Sequence, residues 1–284
     1  MSEVTITTLV DNSLAHPEYT ARGLLGEHGV SFLINSDEQN ILFDTGTSAT
    51  ILENAKLLGV EWGKLDAVVL SHAHLDHTGG MEKVLKTTGK IRVYVHPDIF
   101  KPKYVISADK PPRYNGMAKT IEEFQADGAE FVLREQMTAI GDNFHLIGPI
   151  ARKKASDDKR MSNRFRKEGN ELIPDPLTDE QALTIQTANG LAIITGCTHN
   201  GLKNTVEQAM DMTGEKRIYA VIGGLHLCHT PEDKIKELAL WLQDLNVQMV
   251  CCGHCTGLEA TALLSEIMGS RVMFNYVGKK ITLK

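Results

Sequence analysis

The sequence predicts a layered α/β domain, and three features predict it. Short β-branched runs alternate with helix-spaced segments, histidines recur where those runs give way to loops, and 284 residues suffice for one large domain. Positions 4–10 and 30–35 alternate as half-buried strands do, and 41–43 is a short apolar strand. Asp44-Thr45-Gly46 ends it, with Ser48 placed to cap a helix over 49–58 that Gly59 stops. The run Leu65-Asp66-Ala67-Val68-Val69-Leu70 reads as a buried strand, followed by a helix at 81–87 and a strand at 91–96.

From 101 to 176 the character changes. Six prolines fall here (Pro102, Pro111, Pro112, Pro149, Pro174 and Pro176), with a basic run from Arg152-Lys153-Lys154 through Arg160, Arg164, Arg166 and Lys167. A helix at 120–127 and strands at 130–133 and 144–147 are predicted inside it. The segment reads as an α+β cap inserted within a single domain spanning 1–284. Its charges form either a solvated loop or a contact to a substrate phosphate. Regular structure then resumes. Segments 182–187 and 191–195 flank Asn189-Gly190, a hairpin signal. Strands follow at 218–222 and 247–251. Thr230 and Pro231 open a helix whose Ile235, Leu238, Leu242 and Leu245 share one apolar face, and the last helix spans 257–268.

Composition narrows the function classes. Hydrophobic content of 42% and charged content of 23% are ordinary globular values, and a net charge of −6 argues against a general nucleic-acid binder. The first residues lack a basic, then apolar, leader pattern, and no stretch has the length of a membrane helix. Five cysteines, four of them after Gly224, suit a reducing compartment better than a disulfide framework, so a cytoplasmic location is expected.

The most specific feature is Ser71-His72-Ala73-His74-Leu75-Asp76-His77. In an extended segment His72 and His74 face the same side and grip one cation, while Asp76 and His77 reach a second as the chain turns into a helix. A Thr78-Gly79-Gly80 turn then lets backbone pack close to the metals. His199, His226 and His254 each follow a predicted strand beside glycine or another small residue. In layered α/β sheets such loops gather at one edge.

This set resembles the metallo-β-lactamase superfamily. His72, His74, Asp76 and His77 match its H-x-H-x-D-H motif, Asp44 an earlier aspartate motif, and His199 and His254 its third and last motifs. The resemblance implies a four-layer αββα sandwich holding two divalent metals, zinc foremost, with iron, manganese or magnesium as alternatives. By that likeness His72, His74 and His199 hold one metal and Asp76, His77 and His254 the other. Where the superfamily often bridges its metals with an aspartate, this chain has Gly223-Gly224-Leu225-His226, which leaves His226 a ligand, a substrate-facing base or an orienting residue. Further segments, among them Leu9-Val10-Asp11-Asn12, Gly26-Glu27-His28-Gly29 and His254-Cys255-Thr256-Gly257, resemble the subfamily of the dihydropterin–ribofuranosylaminobenzene phosphate synthases. That likeness implies joining a dihydropterin methyl diphosphate to a ribofuranosyl-arylamine phosphate, with pyrophosphate leaving.

Other roles follow from residue chemistry. Asp44 reads as a buttress for a histidine or the Asp76 loop, because metal-bound imidazoles donate their far nitrogen to a carboxylate or carbonyl. Glu27 or His226 handles a proton, and Arg152 or Arg164 holds a distal phosphate. Asn12 and His28, like Glu27, approach the pocket or form turns. The expected partner is a small phosphorylated substrate, with no nucleic acid or membrane, and a homo-oligomer is left open. Two other classes compete with the transferase: a hydrolase of phosphodiesters or lactones, and a metal-retaining sensor. A structural zinc or iron–sulfur site at Cys228, Cys251, Cys252 and Cys255 is weighed and set aside, because the spacing is not a paired C-x-x-C set. His16, His96, His145 and His229 read as surface or structural.

Overall fold

Two seven-stranded sheets stack face to face in the computed structural model, which describes residues 3–14, 23–37, 39–108, 110–153 and 162–284. The first sheet contains β1 (Val4–Val10), β2 (Ser31–Asn35), β3 (Asn40–Phe43), β4 (Ala67–Val69), β5 (Ile91–Val95), β8 (Ala129–Leu133) and β18 (Lys280–Leu283). Their order is β18-β1-β2-β3-β4-β5-β8. The second contains β9 (Thr138–Ala139), β10 (Phe144–Ile147), β13 (Ala182–Thr187), β14 (Gly190–Thr195), β15 (Ile218–Gly224), β16 (Met249–Gly253) and β17 (Val272–Phe274). They are ordered β17-β16-β15-β14-β13-β10-β9.

Strand alternation explains the layers. Phe32, Ile34, Ile41 and Phe43 of the first sheet meet Phe144, Leu183, Ile194 and Ile222 of the second in an inner core. Leu33, Leu42 and Val68 point the other way, onto α1 (Thr50–Leu57), α3 (Met81–Thr88) and α4 (Ile121–Ala126). Likewise Leu191, Ile193 and Val221 face outward onto α5 (Leu202–Thr213), α6 (Glu232–Asp244) and α7 (Leu258–Met268). Sheets buried on both faces read as continuous apolar runs, which is why 67–70 and 191–194 look uniformly hydrophobic. The result is an αββα sandwich.

The segment 101–176 is not one inserted block. Among the described residues of this segment, only β6 (Lys103–Val105), β7 (Arg113–Tyr114), β11 (Arg164–Glu168) and β12 (Glu171–Pro174) form a separate sheet, ordered β12-β11-β6-β7. β8 pairs in parallel with β5, and β10 pairs antiparallel with β13, so both belong to the sandwich. Their inward residues, such as Phe144 and Leu146, complete the inner core.

Two helix starts differ from expectation. The first helix has Ala49 as its cap, and the Ser48 hydroxyl instead accepts the Thr50 N–H. α6 begins after Pro231, which leaves Thr230 one residue too early. No helix among the described residues is long and apolar enough to cross a membrane.

β3 and β4 run parallel, as do β14, β15 and β16. Their C-terminal ends lie at one edge of the sandwich, and the loops leaving them carry the chemistry.

Candidate metal centre

The strand β4 stops at Val69, so His72 and His74 sit in the loop that leads to the single turn α2 (Leu75–Thr78). That loop, with those after β14 and β16, brings six side chains together. His72 Nε2, His74 Nδ1 and His199 Nε2 form a triangle with sides of 3.0, 3.1 and 3.2 Å. Beside it, Asp76 Oδ2 lies 3.7 Å from His77 Nε2 and 3.4 Å from His254 Nε2. Cys197 Sγ stands 3.1 Å from His77 Nε2 and 3.4 Å from His254 Nε2. All five histidines are buried.

The hydrogen-bond network assigns the tautomers. The Ser71 hydroxyl donates to Asp44 Oδ2 at 2.7 Å, so its oxygen accepts from His72 Nδ1 at 2.9 Å. His72 Nε2 therefore presents a lone pair to the triangle. His77 Nδ1 donates to Asp44 Oδ2 at 2.7 Å, and His254 Nδ1 donates to Asn12 Oδ1 at 2.9 Å. In both rings Nε2 is then the atom turned toward Asp76. Three ring nitrogens in a closed triangle cannot all be satisfied by one another. A cation about 2.0–2.1 Å from each satisfies them together and keeps a position open. The residues present thus fit a divalent metal.

Electrostatics agree. Burial, with neighbouring positive charge, holds His72 and His199 well below the usual imidazole range, and burial does the same to His74. They stay neutral, the form that ligates. Burial pushes the Asp76 carboxyl up, but His77, His254 and His28 outweigh it and hold it well below the carboxylate range. His77 differs: burial pulls it down, yet the Asp44 and Asp76 carboxylates carry it up to about 9, so a metal at Nε2 takes the place of a proton held there in the metal-free chain.

Backbone conformation marks the same place. Asp44, Thr198, His226 and His254 have φ of 58°, 59°, 52° and 49°, a left-handed region costly for residues other than glycine. The Gly79-Gly80 turn serves loop packing in place of metal approach: a Cβ would stand 2.1 Å from Thr47 O at Gly79 and 2.2 Å from Thr45 O at Gly80.

Above the cluster opens a cavity of about 780 Å³. Asn12, His28, His226 and His229 line it, as do Arg113 and Arg164 from the cap sheet. His28 Nε2 reaches Asp76 Oδ2 at 3.3 Å, and the His226 ring lies 4.2 Å from that of His199. Glu27 lies outside the lining: its carboxylate accepts the N–H groups of Thr47 and Ser48 and the Ser48 hydroxyl. Arg152 is also outside, donating to Asn200 Oδ1 at 2.9 Å. Lys153 pairs with Asp211, and Arg166 with Glu168 and Asp98. Lys154, Arg160 and His16 lie outside the described residues. His96 caps a short turn by accepting the Asp98 N–H.

Several supporting residues escaped the sequence reading. Glu180, fully buried, accepts the N–H groups of His199 and Asn200, and burial pushes its carboxyl up to about 7. Lys103 is 1% exposed between Asp175 (2.9 Å) and Asp179 (2.7 Å), and Asp179 also accepts the Ala73 N–H at 2.8 Å. This buried pair ties the cap sheet to the metal loop. Cys197 had one signal, its place two residues before His199. The five cysteines are free thiols, and among the described residues no metal-capable group includes Cys228, Cys251 or Cys252.

Comparisons with known proteins place this geometry. The chain is 34% identical to the 7,8-dihydropterin-6-methyl-4-(β-D-ribofuranosyl)-aminobenzene-5′-phosphate synthase of Methanocaldococcus jannaschii, over 84% of each chain. It is 30% identical to the uncharacterized protein MJ0448 of the same organism, over 97% of this chain and 99% of that one. The crystal structure of Tm1679, a metal-dependent hydrolase of the β-lactamase superfamily, superposes with a TM-score of 0.83 at 32% identity, covering 98% of each chain. The metallo-β-lactamase superfamily pattern itself matches residues 25–254. With its αββα sandwich and the six-residue cluster at the sheet edge, this chain belongs to the metallo-β-lactamase superfamily.

Proposed function

We propose that this protein is a metal-dependent transferase that joins a dihydropterin methyl diphosphate to the amine of a ribofuranosyl-arylamine phosphate and releases pyrophosphate. The observation that carries the reading is the cavity, which has the imidazole–carboxylate cluster on its floor and two guanidinium groups, Arg113 and Arg164, on its wall. The likeness to the M. jannaschii synthase supports the choice of substrate.

His72, His74, His199, Asp76, His77 and His254 are the residues to hold the metals. When bound, a pair of divalent cations supplies charge that neutralises a diphosphate and polarises its oxygens. The chain's own groups do the rest. Arg113 and Arg164 hold a phosphate by charge-assisted bonds. In the transfer, the amine nitrogen bonds the methylene carbon as the carbon–oxygen bond to diphosphate breaks, and the amine proton passes to His226. The walls of the cavity keep the two substrates adjacent.

A second reading, a metal-dependent hydrolase, is favoured by the full-length likeness to Tm1679, and a phosphodiester is the substrate that tests it first. Metal-loaded protein given both phosphorylated substrates should release pyrophosphate and the coupled product, identified by mass spectrometry. Turnover of bis-p-nitrophenyl phosphate without coupling supports the hydrolase instead. Thermal stabilisation by substrate without any turnover leaves only ligand sensing. Arg164→Ala should lower kcat/KM by roughly one to two decades, the worth of a charged hydrogen bond of about 1.5–3 kcal/mol, at unchanged metal content.

A further inference from the structure

We propose that Cys197 is a metal ligand: its thiolate completes the site formed by Asp76, His77 and His254. The ligand atoms of these four residues all lie within 4.8 Å of one another. Cys197 Sγ is 3.1 Å from His77 Nε2 and 3.4 Å from His254 Nε2. A sulfur at about 2.3 Å and a nitrogen at about 2.0–2.1 Å from one tetrahedral zinc stand about 3.5–3.6 Å apart. The His254 spacing is therefore already close to shared coordination, and the His77 ring and the thiol need to separate by about 0.4 Å as the metal enters.

Placement favours sulfur over any other group. Cys197 is 3% exposed and also lies within 4.8 Å of the ligand atoms of His72 and His199, on the side of its site that faces the first triad. Among the described residues, Asp76 is the only carboxylate in these clusters. The end of β15 has no room for another. A Cβ at Gly224 would stand 2.3 Å from Gly196 O and 2.6 Å from Cys255 Sγ, and one at Gly223 would stand 2.0 Å from Thr195 O. Cys197 reaches the space between the triads from the loop that follows the neighbouring strand β14. Thr198 at φ 59° turns the chain so that Cys197 and His199, two residues apart, both face the centre.

As the metal–sulfur bond forms, the thiol proton is released to solvent. A soft sulfur donor in an otherwise imidazole and carboxylate site biases it toward zinc, or iron, over magnesium. The metal preference, and not only the affinity, is therefore set here.

X-ray absorption of the two-zinc protein should show sulfur scattering at about 2.3 Å. Cobalt-loaded parent and Cys255→Ser should both show the near-ultraviolet thiolate-to-cobalt charge-transfer band. Cys197→Ser should lose that band and bind about one equivalent in place of two. A zinc edge with nitrogen and oxygen alone overturns the proposal, even if Cys197→Ser does not fold. So does a band that survives in Cys197→Ser, or one that disappears in Cys255→Ser.

Discussion

Replacing Asp44 by Asn isolates what a buried carboxylate does for a metal it never touches. Asp44 is fully buried and accepts three hydrogen bonds of 2.7 Å, from Ser71 N, Ser71 Oγ and His77 Nδ1. Asn fills the same volume and tolerates the φ of 58°, so little backbone strain is added. Its remaining oxygen serves Ser71 N, but an amide N–H takes the place of Oδ2 and now faces both Ser71 Oγ and His77 Nδ1. The ring then prefers to carry its proton on Nε2, the atom aimed at the second metal. Losing one charge-assisted bond is worth about 1.5–3 kcal/mol. At 1.4 kcal/mol per decade this is a loss of roughly 10–100-fold in second-site affinity, the range typical of outer partners of metal ligands. The first site should change little, because His72 keeps its bond to Ser71 Oγ. Competition titration of metal-free protein against a chromophoric chelator resolves the two steps. Parent-like affinity at both sites, or a larger loss at the first, refutes the reasoning.

Two further predictions concern the supports of the loops. Lys103→Met leaves Asp175 and Asp179 buried without their cation, which should cost about 3–5 kcal/mol and lower Tm by about 5–10 °C; denaturant and thermal unfolding check this, and a change under 1 kcal/mol contradicts it. Glu180 has a folded-state pKa of about 7, above the ordinary 4.5, so the folded metal-free protein binds that proton more tightly than the unfolded chain does. Its contribution is present in full below about pH 4.5 and is lost as pH rises through about 7. Denaturant unfolding of metal-free parent and Glu180→Gln across that window should therefore show a flatter pH dependence in the variant. Equal slopes exclude the role.

What the sequence made legible was local. His72, His74, Asp76 and His77 lie within six positions, and His199 and His254 follow strands whose apolar character is plain, so their convergence could be read from strand-to-loop placement. The layered fold was legible for the same reason, since strands covered on both faces give uninterrupted apolar runs. What depended on direction or long-range pairing was not. β8 and β10 carry strand character but no mark of which sheet they join, so they were grouped with the cap. Basic residues of one run share a charge but not a direction: Arg164 lines the cavity while Arg152 turns to Asn200. Lys103 and Asp179 are 76 positions apart, and neither type suggests a fully buried pair. Cys197 stands in the same loop as His199, yet only the left-handed turn at Thr198 reveals where its sulfur points.

The central claim is that two cations share this sheet edge, one on His72, His74 and His199 and one on Asp76, His77 and His254. Anomalous diffraction from metal-loaded crystals tests it most directly. Two peaks are predicted about 3.5–4 Å apart, the first within about 2.0–2.1 Å of His72 Nε2, His74 Nδ1 and His199 Nε2. The second should touch Asp76 Oδ2, His77 Nε2 and His254 Nε2, and vanish in His254→Ala while the first persists. Peaks away from these atoms, or two full-occupancy peaks in both His74→Ala and His254→Ala, would contradict the account.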